Sequence, residues 1–203
     1  MASYTKNNKL NAITFLPKLI ILDLQLPKID GIEVTCIDAA MPLMIVRAKD
    51  MGVSGRESPA ELDANKALLT QLEAMRLQAG LRMGLGDVSA SVVPKPVLVS
   101  PSDDATCIVS RYFTPHRCHS SHAVTGAIGV GTAFALPGTV ASGNTRAAGR
   151  HLMSVVHPQG KIDLDVELVG EGMNAVVQKA ALVRTVRKIM QGELYLPDYL
   201  FQA

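Results

Sequence analysis

The chain has no tryptophan, only four tyrosines and four phenylalanines, and only three cysteines among its 203 residues. So few aromatic side chains leave little on which bases could stack. The formal net charge is only +2, and the lysines and arginines are scattered rather than clustered. Together these absences argue against a nucleic-acid partner. Cys36, Cys107 and Cys118 are odd in number and share no Cys-x-x-Cys spacing, so a secreted disulfide framework is not expected. No acid precedes Asp23, but the same stretch lacks arginine and a small-residue cleavage pattern after an apolar core. That is not the make-up of a targeting leader, and the expected location is cytoplasmic.

The longest absence is of charge. No Asp, Glu, Lys or Arg occurs between Arg117 and Arg146. A helix without a charged face belongs inside a core or a bilayer. Gly126, Gly129, Gly131, His122 and Pro137 lower the lipophilicity of this run, and no other segment could pair with it as a second span. The expectation is therefore a core helix over about 120–136, with no membrane partner.

The residues before that helix are polar: His116-Arg117-Cys118-His119-Ser120-Ser121-His122. Ser120 or Ser121 is a natural N-cap, which would aim free backbone N–H groups and the positive end of the helix dipole at the region of Cys118 and His119. Such a start is an anion site. Cys118 there has two readings: a thiol with lowered pKa suited to acid–base work, or a half-buried thiol with no role. The His-x-Cys-His-x-x-His spacing matches no standard zinc module, so no metal is expected. The glycines follow Gly-x-x-Gly-x-Gly, which is not a dinucleotide fingerprint. They fit close approach of strands to a central helix instead.

Elsewhere the pattern is ordinary. Ile20-Ile21-Leu22-Asp23 resembles a phosphoacceptor strand, but no upstream acidic pair accompanies it, and a strand followed by a turn at Asp30-Gly31 is the simpler reading. Ile32–Asp38 alternates and 42–46 is a second apolar run, with Cys36 a buried hydrophobe. Ser58-Pro59-Ala60-Glu61 opens a predicted amphipathic helix over about 59–78, ending at Gly80, with Leu62, Leu69, Leu72 and Met75 on one face. Residues 80–104 read as a loop with a short strand at 97–99, and 105–113 as a strand. Residues 152–156 and 161–169 form a predicted hairpin about Pro158-Gln159-Gly160. The segment 174–196 suits helix or strand.

Several stretches resemble one family, the PrpF proteins, relatives of 4-oxalomesaconate tautomerase within the diaminopimelate epimerase superfamily. They include DGIEVTCID from Asp30, MPLMIVRA from Met41, SGRESPAEL from Ser54, LGDVSASVVPK from Leu85, FTPHRCHSSHAVTGA from Phe113 and LVRTVRKIMQGELYLP from Leu182. The resemblance implies an α/β (α+β) domain of the diaminopimelate epimerase type, with a curved mixed sheet wrapped around the central apolar helix, and a strand at 181–189. It implies isomerisation of a small unsaturated di- or tricarboxylate by proton transfer along an allylic system, with no metal or organic cofactor. By the same resemblance Cys118 is the acid/base residue, and His119, Ser120, Ser121, His116 and Met41 line the substrate site, the amides of 119–121 holding a carboxylate. Only the C-terminal half of the family is matched. Residues 1–29 have no counterpart, 30–203 form one domain, and the half with a catalytic Lys and an Asn-Cys-Gly-Asn loop is missing. The expected partners are a small polycarboxylate and either a second copy of this chain or the absent N-terminal domain; the rival expectation is a non-catalytic interaction module.

Overall fold

The computed structural model describes residues 11–15, 20–21, 28–142, 148–184 and 189–190. Ten strands form one sheet. They are β1 (Asn11–Phe15), β2 (Ile20–Ile21), β3 (Lys28–Ile29), β4 (Ile32–Asp38), β5 (Pro42–Arg47), β6 (Lys95–Pro101), β7 (Cys107–Tyr112), β8 (Gly149–His157), β9 (Gly160–Val169) and β10 (Val176–Arg184). The order is β1-β10-β9-β8-β7-β6-β5-β4-β2, with β3 also on β4. Pairing is antiparallel except for β5 with β6 and β7 with β8.

Each parallel pair needs a crossover, and each crossover carries helix. Between β5 and β6 the chain forms α1 (Pro59–Ala64) and α2 (Lys66–Arg82); between β7 and β8 it forms α3 (Val124–Ala135). The two crossovers cover opposite faces of the sheet. Strand alternation divides the apolar residues between them: Leu43, Ile45, Val97 and Val99 join the cluster around α3, while Met44, Val46 and Leu98 join Leu68, Leu72 and Met75 on the α2 side.

α3 packs on β4, β5, β7, β8, β9 and β10. A flat sheet from β4 to β10 would be about 29 Å across, against a helix diameter of about 10–12 Å. One helix can touch all six strands only if the sheet curls around it. The glycines make the fit possible, as expected: a Cβ at Gly126 would run into the Tyr112 ring, one at Gly129 into Leu43, and one at Gly131 into Leu164.

Local signals explain much of the rest. Asp30 and Gly31 both have positive φ, 51° and 83°, the tight turn that joins β3 to β4. Ser58 makes the full capping box with Glu61. The single predicted helix over about 59–78 is corrected to two: Asn65, with ψ of 83°, interrupts it and caps α2 by accepting from the Leu68 amide at 3.1 Å. Leu68, rather than Leu69, takes the buried position. α2 also passes through Gly80, whose missing Cβ makes room for Val88.

Of the ambiguous segment, Val176–Arg184 is strand, while 185–188 and 191–203 lie outside the described residues, as does Asp23. The expected boundary at residue 30 is not where the sheet begins, since Asn11–Phe15 pairs with β10 and Ile20–Ile21 with β4. No helix among the described residues is long and apolar enough to cross a membrane.

Candidate active site

The polar knot between β7 and α3 folds on itself before the helix starts. Phe113 and Cys118 form an isolated bridge, and the Thr114 amide donates to the Arg117 carbonyl at 2.8 Å. The His119 amide donates to the Tyr112 carbonyl at 2.7 Å, and the Ser121 amide to His119 Nδ1 at 3.0 Å. Ser121 Oγ lies 3.4 Å from His157 Nδ1. Both serines are therefore outside the helix. α3 begins at Val124 with Ala123 as N-cap and no side-chain cap, which corrects the expected start at Ser120 or Ser121. The amides of His119 and Ser121 are already engaged. Among the described residues the first three amides of the helix, those of Val124, Thr125 and Gly126, make no hydrogen bond, so the positive helix end sits three residues further on than expected.

Cys118 also departs from expectation. Its side chain belongs to the α2-side cluster with Phe113, is 7% exposed, and holds its Sγ 3.7 Å from the His119 carbonyl. Burial pushes the thiol up to about 11, against a smaller lowering by Arg111, and the nearby Asp63 carboxylate pushes the same way as burial. The expected lowering required the helix end beside the sulfur, and that end is at Val124. At neutral pH Cys118 is a thiol, fit to give a proton rather than to take one.

Thr114, Arg117, Cys118, His119 and Ser120 line a cleft of about 240 Å3. His116 does not join them. Its Nδ1 turns 3.7 Å from Glu73 on α2. Met41, in the turn between β4 and β5, packs half-buried on the α3-side core, as do Ala123 and Val124. A larger cavity of about 440 Å3, lined by Lys49, Ser54, Cys107, Phe134 and Val140, lies at the opposite end of α3.

His122, read in the sequence only as a ligand candidate, is buried at the helix start. Its Nδ1 is 2.9 Å from the Ala123 carbonyl, which can only accept, so Nδ1 carries the proton and Nε2 accepts from Ser110 Oγ at 3.0 Å. Burial, and secondarily the neighbouring His157 and His119, hold its pKa down to about 4, against a hydrogen bond that favours the charged form. Its ring stacks at a tilt on Tyr112, centroids 4.9 Å apart. The described residues hold no group of three or more His, Cys, Asp or Glu that could bind a metal ion.

One participant was missed from the sequence. Asp63, which helical spacing assigns to a solvent face, accepts from the Cys118 amide at 2.7 Å and lies 3.6 Å from Arg117 Nε.

A strongly curved mixed sheet closed on one buried helix, with a polar cleft in the segment that leads into that helix, is the architecture of a diaminopimelate epimerase-like domain. Within that class the chain belongs to the PrpF family, whose model, described as PrpF protein, matches residues 14–197. It is 49% identical over 180 residues to the provisionally named isomerase YbhH of Escherichia coli K12, covering 89% of this chain and 51% of that protein. It is 43% identical over 166 residues to 4-oxalomesaconate tautomerase of Pseudomonas putida, covering 81% and 45%. The crystal structure of methylitaconate-delta-isomerase superposes with a TM-score of 0.65 at 25% identity, over 86% of this chain and 48% of that one. The chain thus spans about half the length of the relatives it matches.

Proposed function

We propose that this chain supplies one side of the active site of an isomerase that shifts a proton along the allylic system of a small unsaturated di- or tricarboxylate. The observation that carries the reading is the row of unpartnered amides at Val124, Thr125 and Gly126, at the start of a helix buried on all sides. Fixed N–H donors at a helix end stabilise both a bound carboxylate and the enolate-like charge that forms when a neighbouring C–H proton is removed. The names of the relatives, oxalomesaconate tautomerase and methylitaconate isomerase, supply the substrate class. The reaction needs a base at one carbon and an acid at the carbon two bonds away; no cofactor enters it. A base from an opposing domain removes the first proton, the double bond moves, and the Cys118 thiol donates to the far carbon. Ser120 and the His119 ring border the substrate, with Met41 on the α3-side wall; His116, held toward Glu73, stands outside.

Maleimide labelling of the folded chain, mapped peptide by peptide, tests this assignment. With cis-aconitate present, Cys118 should react several-fold more slowly, while Cys107, in the wall of the cavity at the other end of α3, should label at an unchanged rate. Equal labelling of Cys118 with and without the acid sinks the site. A second reading, an interaction module, is favoured by Leu152, Val169 and Val176, which stand exposed on β8 to β10. Sedimentation at rising concentration separates the two, because a monomer that protects Cys118 contradicts the module.

A further inference from the structure

Lys95 is the first residue of β6, and its alternation with Val97 and Val99 turns it to the face that carries α3. It is 8% exposed. Long cations so deeply placed are normally paired. Among the described residues Lys95 has no hydrogen-bond or ion-pair partner, and its ammonium nitrogen still reaches solvent, since the one fully buried unpartnered side-chain atom there is Thr132 Oγ1. Burial lowers its pKa, and the Arg76 guanidinium lowers it further.

Strand register places this charge at the start of α3. Val97 pairs with Tyr112 and Pro101 with Ile108. Tyr112 meets Gly126, near the beginning of the helix, while Ile108 and Pro101 share the far cavity with Phe134, near its end. α3 therefore runs in the direction of β6. Lys95, two residues before Val97, lies about 6–7 Å further out along the strand, toward the end of the layer where α3 begins. No acid occurs anywhere between Asp104 and Asp163, so β7, the knot and α3 bring no counter-charge. Arg111 donates to the Glu57 and Ser110 carbonyls, and Arg117 lies beside Asp63.

We infer that Lys95 is a substrate-binding residue, whose ammonium group and the free amides of Val124, Thr125 and Gly126 together take one carboxylate of a polycarboxylate ligand. The inference rests on the isomerase reading and adds to it the charged group that anchors that carboxylate. A charge-assisted bond from the ammonium group adds to what neutral amides provide and gains strength where water is largely excluded.

The probe is tricarballylate, a saturated tricarboxylate with no double bond to shift, titrated calorimetrically into the full chain. Lys95→Met should weaken binding about 10- to 100-fold, the loss of one charge-assisted bond, and Lys95→Arg should restore most of it. Acetate, whose single carboxylate would take the same place, should lose a similar factor on the same change. Thermal unfolding without ligand provides the second readout. A lysine with a structural partner would cost stability when replaced, whereas this unpaired one should leave the melting temperature of Lys95→Met unchanged or raised. Tight tricarballylate binding by Lys95→Met, or a marked fall in its melting temperature, overturns the role of Lys95 and leaves the isomerase reading standing. Absence of tricarballylate binding by the unsubstituted chain, together with unprotected Cys118, overturns both.

Discussion

The two helical layers are held by opposite means. On the α2 side polar groups are satisfied in full: the capping box at Ser58, the Asn65 cap, and Arg76, fully buried, with two bonds to Glu73 at 2.6 and 2.8 Å and one each to the Val88 and Val93 carbonyls. On the α3 side the helix end is satisfied by Thr139 on the Ala133 carbonyl, but no side chain caps its start, no charge pairs with it among the described residues, and three glycines let the sheet close on it. A layer built for stability satisfies its helix ends. The three bare amides at the half-buried start of α3 are the ones the proposed carboxylate site would use.

Three changes would break or sharpen that contrast. The largest effect is expected at Arg76→Met, which strands two buried carbonyls and the Glu73 carboxylate; a loss of about 3 kcal/mol should appear in urea unfolding, with tricarballylate affinity in the folded protein unaltered. A loss below about 1 kcal/mol would mean that the α2 layer does not depend on its polar bonds.

The next is a pH effect on the α3 side. His122 has its folded pKa, about 4, below its ordinary 6.5, so the unfolded chain binds the proton more readily. Its contribution is complete above about pH 6.5 and is lost as pH falls toward 4, by roughly 3 kcal/mol at the lower end. Unfolding free energies measured across that window should fall more steeply in the native chain than in His122→Gln, and parallel curves would refute the assignment.

The smallest is Gly126→Ala. Overpacking against the Tyr112 ring costs about 1–3 kcal/mol, and the gain in helix propensity returns about 1 kcal/mol, for a net loss of about 1 kcal/mol by chemical denaturation. Gly129→Ala, which meets one aliphatic side chain, Leu43, at its Cδ1 and Cγ rather than a rigid ring, should come nearer to neutral. If the two behaved alike, the close approach at Tyr112 would not be what requires glycine.

Much of the fold could be read from local pattern. Alternation in Ile32–Asp38 and Ile162–Leu168, the Asp30-Gly31 turn, the Ser58 capping box and the chargeless run each state their structure within a few residues. The site was less legible because its decisive facts are long-range. Ser121 looks like a cap until the His119 ring takes its amide and His157 meets its hydroxyl, and the helix starts beyond Ser120 as well. Cys118 looks like a helix-end thiol until its bridge to Phe113 turns it toward the α2 cluster. Asp63 looks like a surface charge because helical spacing alone does not tell what the knot before α3 brings to it. The break at Asn65 is a case in between: its side-chain cap is local, but the preceding sequence gives helix enough support to hide it.

Asp63 has one more consequence. It sits on α1, in the crossover between β5 and β6, yet its carboxylate grips the backbone of Cys118 in the crossover between β7 and β8. The two excursions from the sheet are thus stitched together by one side chain, and α1 serves as a splint for the cleft floor. A shift of α1, whether from a loop insertion at 53–57 or from a neighbour pressing on it, would be delivered straight to the peptide that carries the thiol.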